Sequence, residues 1–278
     1  MDAKDPSPKG LPLGQETEYP KSFSRDLLVR IPRSDSRDKL NESSDLVELR
    51  GFDLWTLYEL SWVSTSGFVN AVIGEVRIPA SSPFLVESKS LKLYINSLYY
   101  RQFKAVDEVQ EEVKSALESL LEAPVTVHLW PLADFGGHSA PRKDYVDLDH
   151  LQVEVNNAVD VSILQGVKQS GYTKIYKTEL FRSLCPVTSQ PDWATMFIGI
   201  SGVNTDVKSL AAYLLRYREH QAFHENCVEQ IYTDLQRVLE PEQLTVAARF
   251  TRRGGIDINP YRTSEKPLFQ MPGRTVRQ

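Results

Sequence analysis

Hydrophobic and polar residues follow one another along the chain in an order that occurs twice. Runs rich in Val, Ile, Phe and Trp predict two pairs of strands, at residues 55–63 and 67–79 and at residues 172–180 and 195–203. After each pair, apolar residues recur at helical spacing, at Val109, Val113, Leu117 and Leu121 and at Val228, Ile231, Leu235 and Leu239. A β-rich run closes each stretch, PVTVHLW and then QLTVAARF. The pattern predicts β-β-α-α-β-β in each half, an α+β fold with helices on one face of an antiparallel sheet.

The first predicted helix of each half carries a faint sequence repeat. SLKLYINSLYYRQF and SLAAYLLRYREHQAF share Ser, Leu, Tyr and Phe at an offset of about 119 residues. Amphipathic helices also resemble one another by chance, but the shared element order favours a duplication. Gly, Pro and charged residues concentrate between the halves. We therefore expect a polar N-terminal arm over residues 1–20, a first module over 21–135, a linker over 136–155 and a second module over 156–278.

Composition excludes several classes of protein. The chain has 278 residues, 41% hydrophobic and 25% charged, with a net charge of −5. An acidic balance argues against a protein that follows nucleic-acid phosphates, so we expect a small-molecule substrate and no direct nucleic-acid contact. No apolar run approaches the roughly 18 residues of a membrane span, and the first residues contain no apolar core of a signal peptide. Two cysteines do not make a disulfide scaffold at this size, which favours a cytoplasmic protein without a membrane contact.

One of the two cysteines lies where chemistry is possible. Cys185, in FRSLCPVTSQPDW, follows a predicted strand and is flanked by Pro186, so we expect it in a loop. Asp192 lies seven residues on, next to Trp193. A cysteine attacks as its thiolate, and a nearby acid can then protonate the group that the attack creates. A buried structural cysteine followed by a surface turn explains this segment equally well. Cys227, inside a predicted helix, is expected to fill space in the core.

Three further motifs combine charge with turn or helix-start residues. In FHE, the Glu225 carboxylate could accept hydrogen bonds from an amide and amine edge of a purine, and Phe223 or His224 could stack on its ring. In VESKSLK, Ser88 or Ser90 could cap a helix, and Lys89 would lie near its N-terminus, where anions bind. In TRRGG, Arg252 or Arg253 could hold a phosphate, and Gly254 would let a ligand approach the backbone. Plain helix caps and an exposed hairpin turn explain the same residues without a function.

Established cofactor and metal motifs do not occur. The chain contains neither a GxGxxG after a strand nor a Walker A sequence, so nicotinamide binding cannot be inferred from these residues. The histidines show neither HExxH nor a paired Cys/His spacing, so we expect no metal.

Taken in order, ESKSLK, QPDW, FHE and TRRGGIDINP resemble the longer, two-module form of the NADPH-dependent 7-cyano-7-deazaguanine reductases of queuosine biosynthesis. The resemblance covers the chain from about residue 20 to the end. It implies the tunnelling fold, in which sheets close into a barrel when subunits assemble, and we expect a homodimer. The chain departs from the family's pattern at Leu184, Pro186 and Ser189, in the loop around the cysteine.

The resemblance also assigns roles to residues. Cys185 would attack the nitrile carbon to give a covalent thioimide, and Asp192 would donate protons. The substrate would be held by Val86, Glu87, Ser88, Phe223, His224 and Glu225. NADPH, two molecules per turnover, would be bound by Ser88, Lys89, Arg253 and Gly254. Family members use no metal.

Two other functions remain open from the residues. A cysteine-dependent hydrolase or amidotransferase would need a base and an oxyanion pocket beside Cys185 and would consume no NADPH. A purine- or pterin-binding module would use the pocket without catalysis. Oxidation of NADPH distinguishes both from the reductase.

Overall fold

The computed structural model describes residues 13–14, 18–40, 47–135, 144–154 and 159–278. Its strands are β1 (Arg30–Pro32), β2 (Arg50–Ser64), β3 (Val69–Pro79), β4 (Phe84–Val86), β5 (Gln102–Phe103), β6 (Thr126–Pro131), β7 (Val146–Asp147), β8 (Gly166–Leu184), β9 (Pro191–Thr205), β10 (Gln243–Phe250) and β11 (Ile256–Thr263). Its α-helices are α1 (Ser34–Leu40), α2 (Ser88–Ser97), α3 (Val106–Leu121), α4 (Val207–Leu215) and α5 (His224–Leu239). Short 3₁₀ helices occur at Arg25–Leu27, Leu98–Tyr100, Val161–Ile163 and Arg216–Glu219.

The strand pairs and helices that the hydrophobic pattern predicts in the two halves are present, because the period of apolar residues matches the face that each element buries. The mixed α+β architecture, with mainly antiparallel strands, is therefore confirmed. One expectation is wrong within the described residues: after α3 the first half has a single strand, β6, where the pattern predicts two. The expected arm and linker lie largely outside the described residues.

The chain divides into two compact units. Unit 1 comprises Met1–Asp35, Asp53–Gly137 and Arg252–Ile258, and unit 2 comprises Ser36–Phe52, His138–Thr251 and Asn259–Gln278. The strands β2 and β11 each contribute residues to both units.

In unit 1, β3 pairs antiparallel with β6, and β1 pairs with β4. The inward side chains of β2 and β3 pack with those of α2 and α3 in one core, which includes Trp55, Leu57, Val76, Tyr94, Val113 and Leu117. These side chains are fully or almost fully buried, so their transfer from water stabilises the unit. The start of α2 is thereby fixed on the sheet.

In unit 2, β10, β9 and β8 form consecutive antiparallel pairs, and β7 adds a parallel pair with β8. The helices α4 and α5 pack on these strands through a core that includes Phe181, Ile198, Leu210, Val228, Ile231 and Val246. The β8–β9 connection and the start of α5 carry the motifs with candidate chemistry.

No helix among the described residues is both long and apolar enough to cross a membrane.

Candidate active site

Cys185 lies in the turn that joins β8 to β9, as the sequence predicts. Its N–H donates to the carbonyl of Gln190 at 2.9 Å, and its own carbonyl accepts from the N–H of Ser189 at 2.9 Å. Ser189 has a left-handed backbone with φ of 56°, which closes the turn but is uncommon for a residue with a side chain. The Cys185 side chain is buried, with the residue 5% exposed. The turn therefore holds the thiol in a fixed and largely water-free position.

Residues 220–222 form hydrogen bonds with both ends of this turn. Leu184 forms a parallel bridge with Gln221, in which the Leu184 N–H donates to His220 at 2.8 Å and its carbonyl accepts from Ala222 at 3.1 Å. The Gln221 side-chain amide then donates to the Ser189 hydroxyl at 2.9 Å. Gln221 therefore contacts residues on either side of Cys185. Leu184 and Ser189, two of the three positions expected to depart from the family's pattern, make these contacts.

Asp192 and His224 form the second part of the site. Asp192 is the second residue of β9 and is 6% exposed, and its Oδ2 lies 3.4 Å from Nε2 of His224. The His224 ring stacks on Phe250 with centroids 3.8 Å apart and planes 1° apart. Its buried Nδ1 has no hydrogen-bond partner among the described residues. A buried polar atom without a partner indicates a place for a ligand or water.

FHE marks the start of α5, which begins at His224. Phe223 occupies the position before the first turn, and within the described residues its side chain makes no capping hydrogen bond. Glu225 lies in the first turn and is 3% exposed, where the helix dipole favours a negative charge. Phe223 therefore does not cap the helix, and the Glu225 side chain is buried in its first turn.

Cys227 has a different environment from Cys185. It is fully buried in the core of unit 2, as the sequence predicts. Loss of hydration raises the pKa of its thiol to about 12, with the nearby charges of Asp192 and Glu225 acting in the same direction. A thiol with that pKa is almost entirely protonated at neutral pH and is a poor nucleophile.

The VESKSLK motif begins α2 in unit 1, but neither Ser88 nor Ser90 caps the helix as expected. Glu87 is the N-cap: its carboxylate accepts from the N–H of Lys89 at 2.8 Å and of Ser90 at 2.7 Å. Ser90 instead bonds back to the Glu87 carbonyl at 2.7 Å. Glutamate serves as the cap here because its carboxylate can satisfy two free N–H groups at once. Burial raises the pKa of Glu87, against the lowering effect of these two hydrogen bonds.

Val86, Ser88 and Lys89 surround this cap. Val86 ends β4 and is buried, whereas Ser88 and Lys89 form the first turn of the ten-residue helix α2. The helix dipole favours an anion at such a helix start, where the Glu87 carboxylate already accepts from two N–H groups.

Residues 252–255 of TRRGG form a tight turn, also in unit 1. The main chains of Arg253 and Ile256 exchange two hydrogen bonds, at 2.8 and 3.1 Å, around two glycines with φ of 57° and 78°. This is the two-residue hairpin turn that requires glycine-like conformations. A β-carbon at Gly254 would lie 3.1 Å from Nζ of Lys92. Lys92, one turn after Lys89 on α2, therefore lies beside this turn.

The structure thus places the predicted site residues in two groups. Unit 2 contains Cys185, Asp192, Phe223, His224 and Glu225, and unit 1 contains Val86, Glu87, Ser88, Lys89, Arg253 and Gly254. Sequence reasoning missed Phe250, Gln221 and Lys92. Among them only Lys92 carried a signal, because it repeats Lys89 at a spacing of three on a predicted helix. Among the described residues, no cluster of three or more His, Cys, Asp or Glu side chains could hold a metal ion.

Comparison with known proteins relates both groups to one family. Residues 19–129 match the family described as nitrile reductase, 7-cyano-7-deazaguanine-reductase N-term, and residues 191–268 match a family described as QueF-like protein. The NADPH-dependent 7-cyano-7-deazaguanine reductase of Acinetobacter baumannii strain SDF is 41% identical over 269 residues, which cover 96% of this chain and 97% of the relative. The protein of the same name from Psychrobacter cryohalolentis is 39% identical over 277 residues, 95% of this chain and 97% of the relative. The chain belongs to the family of NADPH-dependent 7-cyano-7-deazaguanine reductases.

Proposed function

We propose that this protein reduces the nitrile of 7-cyano-7-deazaguanine to the primary amine of 7-aminomethyl-7-deazaguanine, as a step of queuosine biosynthesis. The observation that carries the proposal is the buried Cys185 turn in the same unit as the Asp192–His224 pair, in a chain that matches the family over nearly its whole length. A nitrile carbon is an electrophile, and a positioned thiol with an adjacent proton donor is suited to add to it.

Cys185 is the nucleophile in this proposal. The thiol loses its proton as its sulfur attacks the nitrile carbon, one π bond of the nitrile breaks, and the nitrogen takes up a proton, which gives a thioimide. The proton that the thiol loses replaces the one delivered to the nitrogen, so the net change is addition of S–H across the nitrile. The turn hydrogen bonds to Gln190 and Ser189 support this role because they fix the main chain on both sides of the thiol. Burial supports it because the imine formed later in the reduction must be kept from water.

Asp192 donates the proton to the nitrogen, and His224 holds the carboxyl in place. The 3.4 Å distance between Asp192 Oδ2 and His224 Nε2 supports this pairing. The stack on Phe250 restricts the imidazole to one plane, so that the pair is oriented before substrate binds.

Substrate recognition is assigned to carboxylates and apolar side chains. Glu225 accepts hydrogen bonds from the amide and amine edge of the base, and the His224 Nδ1, which lacks a partner among the described residues, is available to the same ligand. Glu87, with Val86 and Ser88, completes the recognition of the base. Because its oxygens each carry a second lone pair, the Glu87 cap does not prevent a further hydrogen bond. Phe223 supplies an apolar face for the ring.

The residues of unit 1 fit the phosphates of NADPH. The α2 N-terminus contributes the Ser88 N–H and the Lys89 ammonium, the Lys92 ammonium lies near Gly254, and Arg253 adds a guanidinium on the same turn. NADPH supplies the hydride when it is bound, and a nitrile needs two hydrides and two further protons to become an amine. Two NADPH are therefore consumed per turnover, and no metal is required.

We also propose that the chain consists of two tunnelling-fold modules, with residues 1–20 as an arm and 136–155 as a linker, which close into a barrel as a cytoplasmic homodimer. Apart from the short strands β4 and β5 of the first half, the order β-β-α-α-β is common to the two halves and supports this organisation. Two-fold assembly is the commonest closed symmetry of such oligomers.

A titration with 7-cyano-7-deazaguanine, followed by intact mass and near-ultraviolet absorbance, tests the activity. We expect a covalent adduct whose mass equals the sum of chain and substrate, and which NADPH discharges to the amine. Cys185→Ala should form no adduct, whereas the matched control Cys227→Ala should form it at the rate of the unsubstituted chain.

Other outcomes point to other functions. Binding without an adduct would favour a module that only binds the base. An adduct that water discharges without NADPH oxidation would favour a hydrolase. Absence of binding would exclude this base as the substrate.

A further inference from the structure

Residues 271–278 fold back onto unit 2, although the proposed reaction assigns them no part. The buried Arg249 on β10 donates to the carbonyl of Pro272 at 2.8 and 2.5 Å. The Arg274 side chain donates to the Gln278 carbonyl at 2.8 Å, and the Thr275 N–H donates to the Gln278 side-chain oxygen at 3.1 Å. These bonds give the segment a defined conformation.

Arg277 contacts the residue that follows the proposed proton donor. Its guanidinium carbon lies 5.3 Å from the centre of the Trp193 ring, and Arg218 lies 5.1 Å from the same ring. A hydrogen bond to the Glu179 carbonyl, at 2.7 Å, fixes the Arg277 side chain. Trp193 itself accepts a main-chain hydrogen bond from Thr251 at 2.9 Å. Because Trp193 directly follows Asp192, contacts that hold the indole also limit where the Asp192 carboxyl can lie.

Gln278 contacts the other support of the pair. Its side-chain amide donates to the Phe250 carbonyl at 3.1 Å and to Oδ1 of Asn259 at 2.7 Å. The same Asn259 oxygen accepts from the Phe250 N–H at 3.2 Å. Phe250 is therefore held on both of its main-chain polar groups, and its ring is the surface on which His224 stacks.

Two adjacent residues thus touch both sides of the Asp192–His224 pair. From this arrangement we infer that Arg277 and Gln278 are positioning residues: they hold Trp193 and Phe250, and thereby keep Asp192 and His224 within 3.4 Å of each other. The inference rests on the proposed function. A displacement of about 1 Å at a reacting group can lower the rate about 100-fold. Contacts with Trp193 and Phe250, which do not touch the substrate themselves, can therefore affect the rate.

The test compares Arg277→Ala, Arg277→Lys and Gln278→Ala with Arg50→Ala, which removes an exposed arginine paired with Glu48. Stopped-flow absorbance gives the rate of adduct formation with 7-cyano-7-deazaguanine between about pH 5.5 and 9, and steady-state assays give kcat and KM. We expect Arg277→Ala and Gln278→Ala to slow adduct formation by about 10- to 100-fold and to change its pH profile, with KM within about threefold. Arg277→Lys, which keeps a cation beside the indole, should recover part of the rate.

Hydrogen exchange read by mass spectrometry provides a measure that needs no turnover. Peptides covering residues 191–195 and 222–226 should exchange faster in Arg277→Ala and Gln278→Ala than in Arg50→Ala. Adduct rates equal to those of Arg50→Ala, or losses that follow the unfolded fraction in thermal melts, would overturn the inference. If the unsubstituted chain forms no adduct, the proposed function fails by itself, and unchanged exchange in the two peptides would reject the positioning contacts separately.

Discussion

The helices α2 and α4 begin with the same hydrogen-bond pattern in different surroundings. Glu87 accepts from the N–H groups two and three residues ahead, at 2.8 and 2.7 Å, and Asp206 does the same at 2.7 and 3.0 Å. Each cap residue also donates its own N–H to a preceding extended segment, Glu87 to Val29 at 2.8 Å and Asp206 to Gln165 at 2.9 Å. The two helix starts are therefore equivalent in their main-chain connections.

The serine three residues after each cap repeats the equivalence. Ser90 donates to the Glu87 carbonyl at 2.7 Å and accepts from the Val29 N–H at 3.0 Å. Ser209 donates to the Asp206 carbonyl at 2.9 Å and accepts from the Gln165 N–H at 3.1 Å. A spacing of 119 residues relates both serines and both caps, the offset of the faint sequence repeat. The hydrogen bonds at the two helix starts are thus the same, although the cap is a glutamate in one half and an aspartate in the other.

Burial is what differs. Glu87 is 1% exposed and desolvation raises its pKa, whereas Asp206 lies at the surface. A surface aspartate is sufficient to cap a helix. The longer, buried glutamate incurs a desolvation cost that capping alone does not require, which supports its proposed second role toward the substrate.

Removal of each cap residue separates helix capping from substrate binding. Its effect on substrate affinity is the largest that we expect from this comparison. Glu87→Ala and Asp206→Ala should each lower the free energy of unfolding by about 1 kcal/mol, because each leaves two N–H groups without a side-chain acceptor. Only Glu87→Ala should weaken binding of 7-cyano-7-deazaguanine, by about 10- to 100-fold, since a hydrogen bond to a charged group contributes about 1.5–3 kcal/mol. Calorimetry in a Cys185→Ala background measures the affinity without adduct formation.

Equal affinities for the two variants would contradict the role of Glu87 in substrate binding. A cap variant that binds normally but unfolds more readily would leave Glu87 with the capping role alone. The Asp206→Ala variant serves as the matched control, because the hydrogen bonds removed are of the same kind.

The dependence of stability on pH should distinguish Glu87 from a glutamine, which cannot titrate. Because its pKa in the folded chain lies above the ordinary value of 4.5, the unfolded chain loses this proton first as pH rises. Its contribution to stability is therefore fully present below about pH 4.5 and is lost as pH rises through the higher folded pKa. We expect the unsubstituted chain to lose stability relative to Glu87→Gln over that window, measured by urea unfolding from about pH 4 to 7.5. A difference that is flat, or that changes in the opposite direction, would show that burial does not dominate at Glu87.

The comparison also shows what the sequence could predict. Strands and helices follow from apolar periodicity, which depends only on which face is buried. The position of Cys185 in a turn follows from its neighbours, because Pro186 and the strand before it leave few alternatives. The N-cap Glu87 was missed because glutamate is uncommon at that position, where serine is among the preferred residues.

Contacts between distant segments were not accessible to the same reasoning. Phe250 is one of several buried apolar residues on β10, and only the folded chain brings its ring onto His224. Gln221 is a polar residue in a connection, and its bond to Ser189 depends on the left-handed turn after Cys185. Such positions carry no local pattern, since their role comes from tertiary packing.

The serines three residues after the two caps should differ in how much they stabilise the fold, and the more buried serine should contribute more. Ser90→Ala removes a buried acceptor of the Val29 N–H and should destabilise the fold by about 1–3 kcal/mol. Ser209→Ala removes the same bonds where water can replace them, so we expect about 1 kcal/mol or less. Urea unfolding of the two variants measures both. If Ser209→Ala proved the more destabilising, burial would not be the property that distinguishes the two helix starts.

The ends of the second helices provide the smallest effect and an internal control. Glu122 after α3 and Glu240 after α5 both have left-handed backbones, with φ of 53° and 43°, and both donate an N–H to the carbonyl four residues before. Glycine adopts this conformation without strain, but each glutamate also makes an exposed ion pair, with Arg30 and Lys168 respectively, that glycine would lose. We expect Glu122→Gly and Glu240→Gly to raise the free energy of unfolding by about 0.5 kcal/mol each, whereas the alanine variants, which keep the strain, should lower it slightly.

Neither position is assigned a function. Equal gains in stability in the two variants, with unchanged substrate affinity, would therefore show that the two halves differ in their site residues and not in the backbone of their helices. A gain in stability in only one of the two variants would instead show that the helix backbones of the two halves also differ.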